Sequence, residues 1–198
     1  MKKTKNNYLF TFGLVLLSLL ISCSDDEVPE AENVEEAIDQ VTLTFSADGA
    51  ANLVFKAIDP DVAGWANVEY DEIELKSNTE YTLDIKLEYT VENENITEEI
   101  EEEADEHIFF FSFTDGMFTS PSGDGNVDNR EHPINYEDKD SNGFPLGLKT
   151  TWETGDAMAD MTFNVMLKHQ PDNQKTNTSD SKIGSSDIDL TWNISIID

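Results

Sequence analysis

Asp138-Lys139-Asp140-Ser141-Asn142-Gly143 is the segment whose residue types and spacing come nearest to a recognisable chemistry. Carboxylate, carboxylate and amide at alternate positions aim hard oxygens at one point, and the glycine lets the backbone turn so that a following carbonyl can join them. That is the first half of a calcium loop, with Asp138, Asp140 and Asn142 as ligands. It departs from the EF-hand at the twelfth position, where Lys149 stands in place of a bidentate glutamate, and in its flank, where Pro145 and Leu146-Gly147-Leu148 do not begin a helix. Glu137, Asp124 and Asp128 are the carboxylates that would complete a shell. The competing reading is a turn without an ion, because Asp, Asn and Gly favour turns through their own backbone hydrogen bonds.

The three histidines form a second constellation. His107 sits between an acidic segment and an aromatic run, and His169 ends an alternating segment before Gln170-Pro171. His132 lies beside Glu131. Imidazole suits zinc and other borderline metals, so His107 and His169 with nearby carboxylates are a candidate transition-metal pair. Glu103 joins them at i, i+4 if a helix reaches that far. Their spacing matches no zinc motif, and separate histidines capping two strands are the commoner explanation of such a pattern.

Catalytic arrangements are poorly supported. Carboxylate pairs are too common here to single one out as an acid/base pair. No serine lies in a nucleophile elbow, and no glycine-rich phosphate loop follows a strand. Trp152 and Trp192 fit strand alternation and read as core. Trp65, between Gly64 and Ala66, reads as exposed. The chain is therefore read as non-catalytic.

These groups must be positioned by strands. Val41, Leu43 and Phe45 alternate with threonines. Tyr81 to Val91, Met161 to Leu167 and Ile188 to Ile196 repeat the pattern, the last against Asp187 and Asp189 on the polar side. Alternation with period two gives each strand one dry and one wet face, which predicts antiparallel sheet. Ser77-Asn78-Thr79 reads as a hairpin turn. The expected fold is all-β: an antiparallel, immunoglobulin-like β-sandwich over residues 41–198, with one short acidic helix. That helix follows Asn95 and places Ile96, Ile100 and Ala104 on one face. Ile108-Phe109-Phe110-Phe111-Ser112-Phe113 is apolar without alternation, so both of its faces need cover, and the helix is the expected cover. Residues 115–145 and 172–186 read as loops, the second as a mobile hairpin tip.

The N-terminus carries an address. Lys2, Lys3 and Lys5 precede an apolar run from Tyr8 to Ile21, the layout of a secretory signal over residues 1–22. Leu20-Ile21-Ser22-Cys23 resembles a bacterial lipobox, which implies diacylation of Cys23 and membrane anchoring through lipid. A buried free cysteine or an uncleaved signal anchor are the alternatives. Residues 23–40 read as the lipidated cysteine and an acidic linker with no basic side chain. The whole chain carries 42 acidic and 12 basic residues, a net charge of −30. Such a balance argues against nucleic acid and anionic lipid, and favours cations or basic protein surfaces. With Cys23 acylated no disulfide can form.

Ser24-Asp25-Asp26-Glu27 resembles the acidic export signal of surface lipoproteins of Bacteroidota. With Thr97 to His107, Asp138 to Gly147 and Leu167 to Asp172, the chain is similar to small Bacteroidota lipoproteins of unassigned function. Some of these are labelled a type 1 periplasmic binding fold, an α/β architecture, whereas the alternation here points to strands. The resemblance implies an outer-membrane location facing the cell exterior. It also implies a ligand- or partner-binding role accessory to uptake through a TonB-dependent receptor. The runner-up expectation is a metal-capture protein using His107 and His169. A third is a structural envelope lipoprotein.

Overall fold

In the computed structural model the described residues are 36–198. The signal segment, Cys23 and the linker up to residue 35 lie outside them. Two sheets face each other. The first runs β3(Glu69–Tyr70), β2(Leu53–Ile58), β1(Gln40–Ser46), β5(Glu80–Glu88), β8(Lys149–Thr154), β7(Phe118–Ser120), with every neighbour antiparallel. The second runs β4(Ile73–Lys76), β10(Ser185–Ile197), β9(Met158–His169), β6(His107–Phe113). This is an all-β, sandwich-like fold.

The predicted alternation places the core. Leu43, Phe45, Leu83, Leu87 and Trp152 of one sheet meet Phe109, Phe111, Phe163, Val165 and Trp192 of the other, all fully buried. Trp152 packs edge-on against Phe163 at 5.2 Å and Phe111 at 5.4 Å between ring centroids. Burying an apolar side chain of this size contributes about 1.5–3 kcal/mol. With conformational entropy opposing folding, contacts of this kind across the two sheets are what hold them together.

Ser77-Asn78-Thr79 is not a hairpin turn, because it carries the chain from β4 in one sheet to β5 in the other. Asn78 takes a positive φ of 50° there, and its amide donates to the Gly155 carbonyl. As a result β4 pairs with β10 in parallel, so the second sheet is not purely antiparallel. The folded unit also begins before residue 41. Ile38 and Asp39 are buried, and the Asp39 carboxylate accepts from the Thr90 amide and hydroxyl at 2.8 and 2.7 Å. Trp65 is half-buried rather than exposed.

Strand β6 lies at the edge of the second sheet. The helix α1(Ile96–Glu102) does not cover it; Ile96 and Ile100 enter the main core beside β5, and Thr97 Oγ1 bonds the Leu87 backbone. The long segment after β6 supplies the cover. Val127 closes a small apolar cluster over Ile108, Phe110 and Met166. The open backbone edge is satisfied in turn: the Phe109 amide donates to Leu146 O, Phe111 to Asn126 Oδ1 and Phe113 to Asp124 O. Tyr136 donates its hydroxyl to Phe109 O at 2.6 Å and accepts from Asn126. An unpaired edge invites pairing with another chain, and this loop removes the invitation. The 172–186 segment is likewise pinned, through Gln170 Nε2 to the carbonyls of Asp180 and Ile183.

Candidate metal centre

The chemistry gathers at the end of the second sheet where α1 turns into β6. Helix α1 stops at Glu102, and Glu103 forms its C-terminal cap, donating its amide to Glu99 O at 2.9 Å. One further turn, closed by the Glu106 amide on Glu103 O, delivers His107 as the first residue of β6. Antiparallel pairing of β6 with β9 sets His107 opposite His169. Their rings stack at 4.6 Å with an interplanar angle of 11°.

Each imidazole is held by one nitrogen. His107 Nδ1 lies 3.1 Å from the Glu103 carbonyl oxygen, and His169 Nε2 lies 3.1 Å from Glu106 Oε2. A carbonyl and a carboxylate only accept, so those two nitrogens carry protons, and in the neutral form of each ring the other nitrogen carries the lone pair. The lone-pair atoms, His107 Nε2 and His169 Nδ1, are buried and have no hydrogen-bond partner. Buried polar atoms are rarely left so. A protein acceptor on one ring nitrogen and a lone pair bare on the other is how proteins prepare histidine to ligate a metal. A carboxylate oxygen of Glu103 and one nitrogen from each ring all lie within 4.8 Å of one another.

Charges of both signs reach the site, the Lys175 ammonium acting on His107 and several carboxylates lying on the other side. Burial, the dominant cause, pushes the His107 imidazole down to about 4, so it is neutral at pH 7 and its lone pair is available. Glu36 is pushed up to about 7, first by burial and then by the negative charges of Glu99, Asp187 and Glu103. Acidic residues also crowd the wrong end of α1. Its last turn has no basic residue, and Glu102 and Glu103 sit at the negative end of the helix dipole. A divalent ion beside Glu103 would relieve that crowding.

The structure brings His107 and His169 together and leaves His132 apart, where its Nδ1 pairs with Asp124 at 2.8 Å. The 138–142 loop is organised differently from a calcium shell. Asp138 accepts from the amides of Gly147 and Lys149 at 2.7 and 3.0 Å. Asp140 Oδ1 accepts from the amides of Asn142 and Phe144, both at 2.8 Å, and Asn142 itself is exposed. Asp140 Oδ2 lies 3.0 Å from the ammonium of Lys175, with both side chains fully buried. Lys175 Nζ also donates to Ala104 O at 2.6 Å. A lysine therefore supplies the positive charge beside Asp140, and the chain's own donors occupy the oxygens that a calcium ion would need.

Glu36, Glu106, Lys175 and Asp187 are the site residues that sequence reasoning missed. Strand alternation assigned Asp187 to the wet face, yet its side chain is buried, with Oδ2 3.8 Å from His107 Nε2. A register shift between Ser186 and Ile188 turns it inward. Nothing in the residue pattern marks that bulge. Comparison with protein-family models, with curated proteins and with solved structures returns no match.

Proposed function

We propose that this chain is a non-catalytic, lipid-anchored protein of the cell envelope whose β-sandwich captures a borderline divalent metal of the zinc class. The observation that carries this reading is the stacked pair His107 and His169, each oriented through one nitrogen, each with a buried bare lone pair on the other, beside Glu103. Imidazole and carboxylate together suit zinc and its neighbours better than hard cations. The acidic surroundings support retention of a cation and disfavour anionic partners. The lipid anchor at Cys23 and display outward from the outer membrane supply the place where scarce metal would be met, with a TonB-dependent receptor as the acceptor downstream.

The test is metal binding by the full chain, stripped with a chelator. One zinc ion per chain is expected. At a free concentration a hundredfold above Kd the native state gains about 2.7 kcal/mol, which raises Tm by roughly 5–10 °C. H107A and H169A should each abolish the shift while calcium produces none. Unchanged melting in zinc, or a shift that survives both substitutions, removes the reading.

A further inference from the structure

Asp187 breaks the pattern of the strand that carries it. In β10 the inward side chains are Ile188, Leu190, Trp192, Ile194 and Ile196, all buried. Strict alternation would turn Asp187 outward. Instead Ser185 pairs with His169, Ser186 with Lys168 and Ile188 with Leu167, so Asp187 is the extra residue of a β-bulge. Both Asp187 and Ile188 are buried as a result. A bulge costs ladder hydrogen bonds and re-aims a side chain, and such irregularities concentrate beside functional sites. This one inserts a carboxylate into the interior next to the histidine pair.

We propose that Asp187 is the fourth ligand of the site, completing Glu103, His107 and His169 into a closed shell of two nitrogens and two oxygens. The inference rests on the metal-capture reading above. His107 Nε2 and Asp187 Oδ2 are 3.8 Å apart, and both side chains are fully buried. Two ligand atoms bound at about 2.0–2.1 Å to one tetrahedral ion stand roughly 3.3 Å from each other. The observed gap therefore closes by about half an ångström when an ion enters between them. Meanwhile His107 Nδ1 keeps its proton and goes on donating it to the Glu103 carbonyl oxygen. Glu103 is the exposed member of the set, and His107 and Asp187 are its buried members.

The fourth ligand decides what the site is for. Two histidines and one carboxylate alone would leave coordination positions open, as in metal sites that activate oxygen or water. A closed tetrahedral shell leaves none, which suits retention and transfer of the ion rather than chemistry upon it.

Cobalt(II) in place of zinc provides the readout. The full wild-type chain should bind one cobalt ion and show the intense visible d–d absorption of a four-coordinate centre. X-ray absorption of the zinc form should give four nitrogen and oxygen neighbours at about 2.0 Å, two of them imidazole. D187N should weaken zinc binding at least a hundredfold and lose the tetrahedral cobalt spectrum, while its metal-free melting shows that it still folds. If D187N keeps wild-type affinity and spectrum while H107A and H169A abolish binding, Asp187 is not a ligand and only this inference falls. Five or six neighbours in the wild-type zinc form overturn it without any variant. Failure of the wild type to bind either ion removes the metal-capture reading with it.

Discussion

Lys175 shows how a single buried side chain can organise one end of a fold. Its ammonium joins three segments distant in sequence: the turn after α1 through Ala104 O, the 138–147 loop through Asp140, and its own loop after β9. Burial lowers the lysine's affinity for its proton, and the pull of Asp140 only partly offsets it. On Asp140 burial also works against the charge, but the Phe144 amide and the lysine outweigh it, and its carboxyl titrates below the usual range. Buried pairs of this kind add little net stability, yet removing one partner strands the other. K175M should therefore cost about 3–5 kcal/mol in urea unfolding. K175M/D140N should recover part of that loss, because no unpaired charge then remains. The pH dependence has a definite sign. A carboxyl whose folded pKa is depressed stabilises the fold above its unfolded value of 3.8 and loses that contribution as pH falls through the folded value. Wild-type stability should thus drop as pH falls below about 3.8, and D140N should lack that component. Equal acid sensitivity in the two proteins would show that Asp140 is not the group responsible.

At the scale of elements, the loop over β6 and the turn into β10 hold the strands that carry the site. Tyr136 ties the loop to the strand edge. Y136F leaves Phe109 O without its hydroxyl donor and should cost about 1 kcal/mol. Amide exchange along Phe109 to Phe113 should accelerate first, because the edge opens before the sheet does. Gly184 is the second control point. It has φ of +76°, and an added Cβ would fall 1.9 Å from the His169 carbonyl oxygen. G184A must displace either β9 or the start of β10, and with it the register that places His169 and Asp187. A fall in Tm accompanied by loss of zinc binding is expected. A variant that loses stability but keeps wild-type affinity would show that the two are separable. These elements also mark what could be read from residues alone. Alternation located β1, β5, β9 and β10 and the core positions of Trp152 and Trp192, because period two follows directly from the pleat. It could not show that His107 and His169 stack, since that depends on the register of two strands, β6 and β9, far apart in sequence. A bulge is one residue of slip and leaves no trace in composition, so Asp187 was read as solvated. The aromatic run of β6 correctly signalled burial on both faces. Its cover was misassigned because the helix was closer in sequence than Val127.

On the whole molecule the governing quantity is charge. Forty-two acidic side chains against twelve basic ones leave the metal-free protein repelling itself. Close to Glu103 and Asp187, Glu36 is held up to about 7 by burial and by neighbouring carboxylates. Two consequences are separable by experiment. Sodium chloride should stabilise the metal-free chain gradually over about 0.01–0.5 M, because the Debye length shrinks from about 30 Å to below 10 Å. Zinc should stabilise it abruptly at one equivalent, at any salt concentration in that range, because buried ligands are screened far less than surface charges. H107A should retain the gradual response to salt and lose the step at one equivalent. If zinc acts only as a stronger salt, with a graded response that H107A leaves intact, the ion is a counterion for a polyanion and the candidate centre is not a binding site.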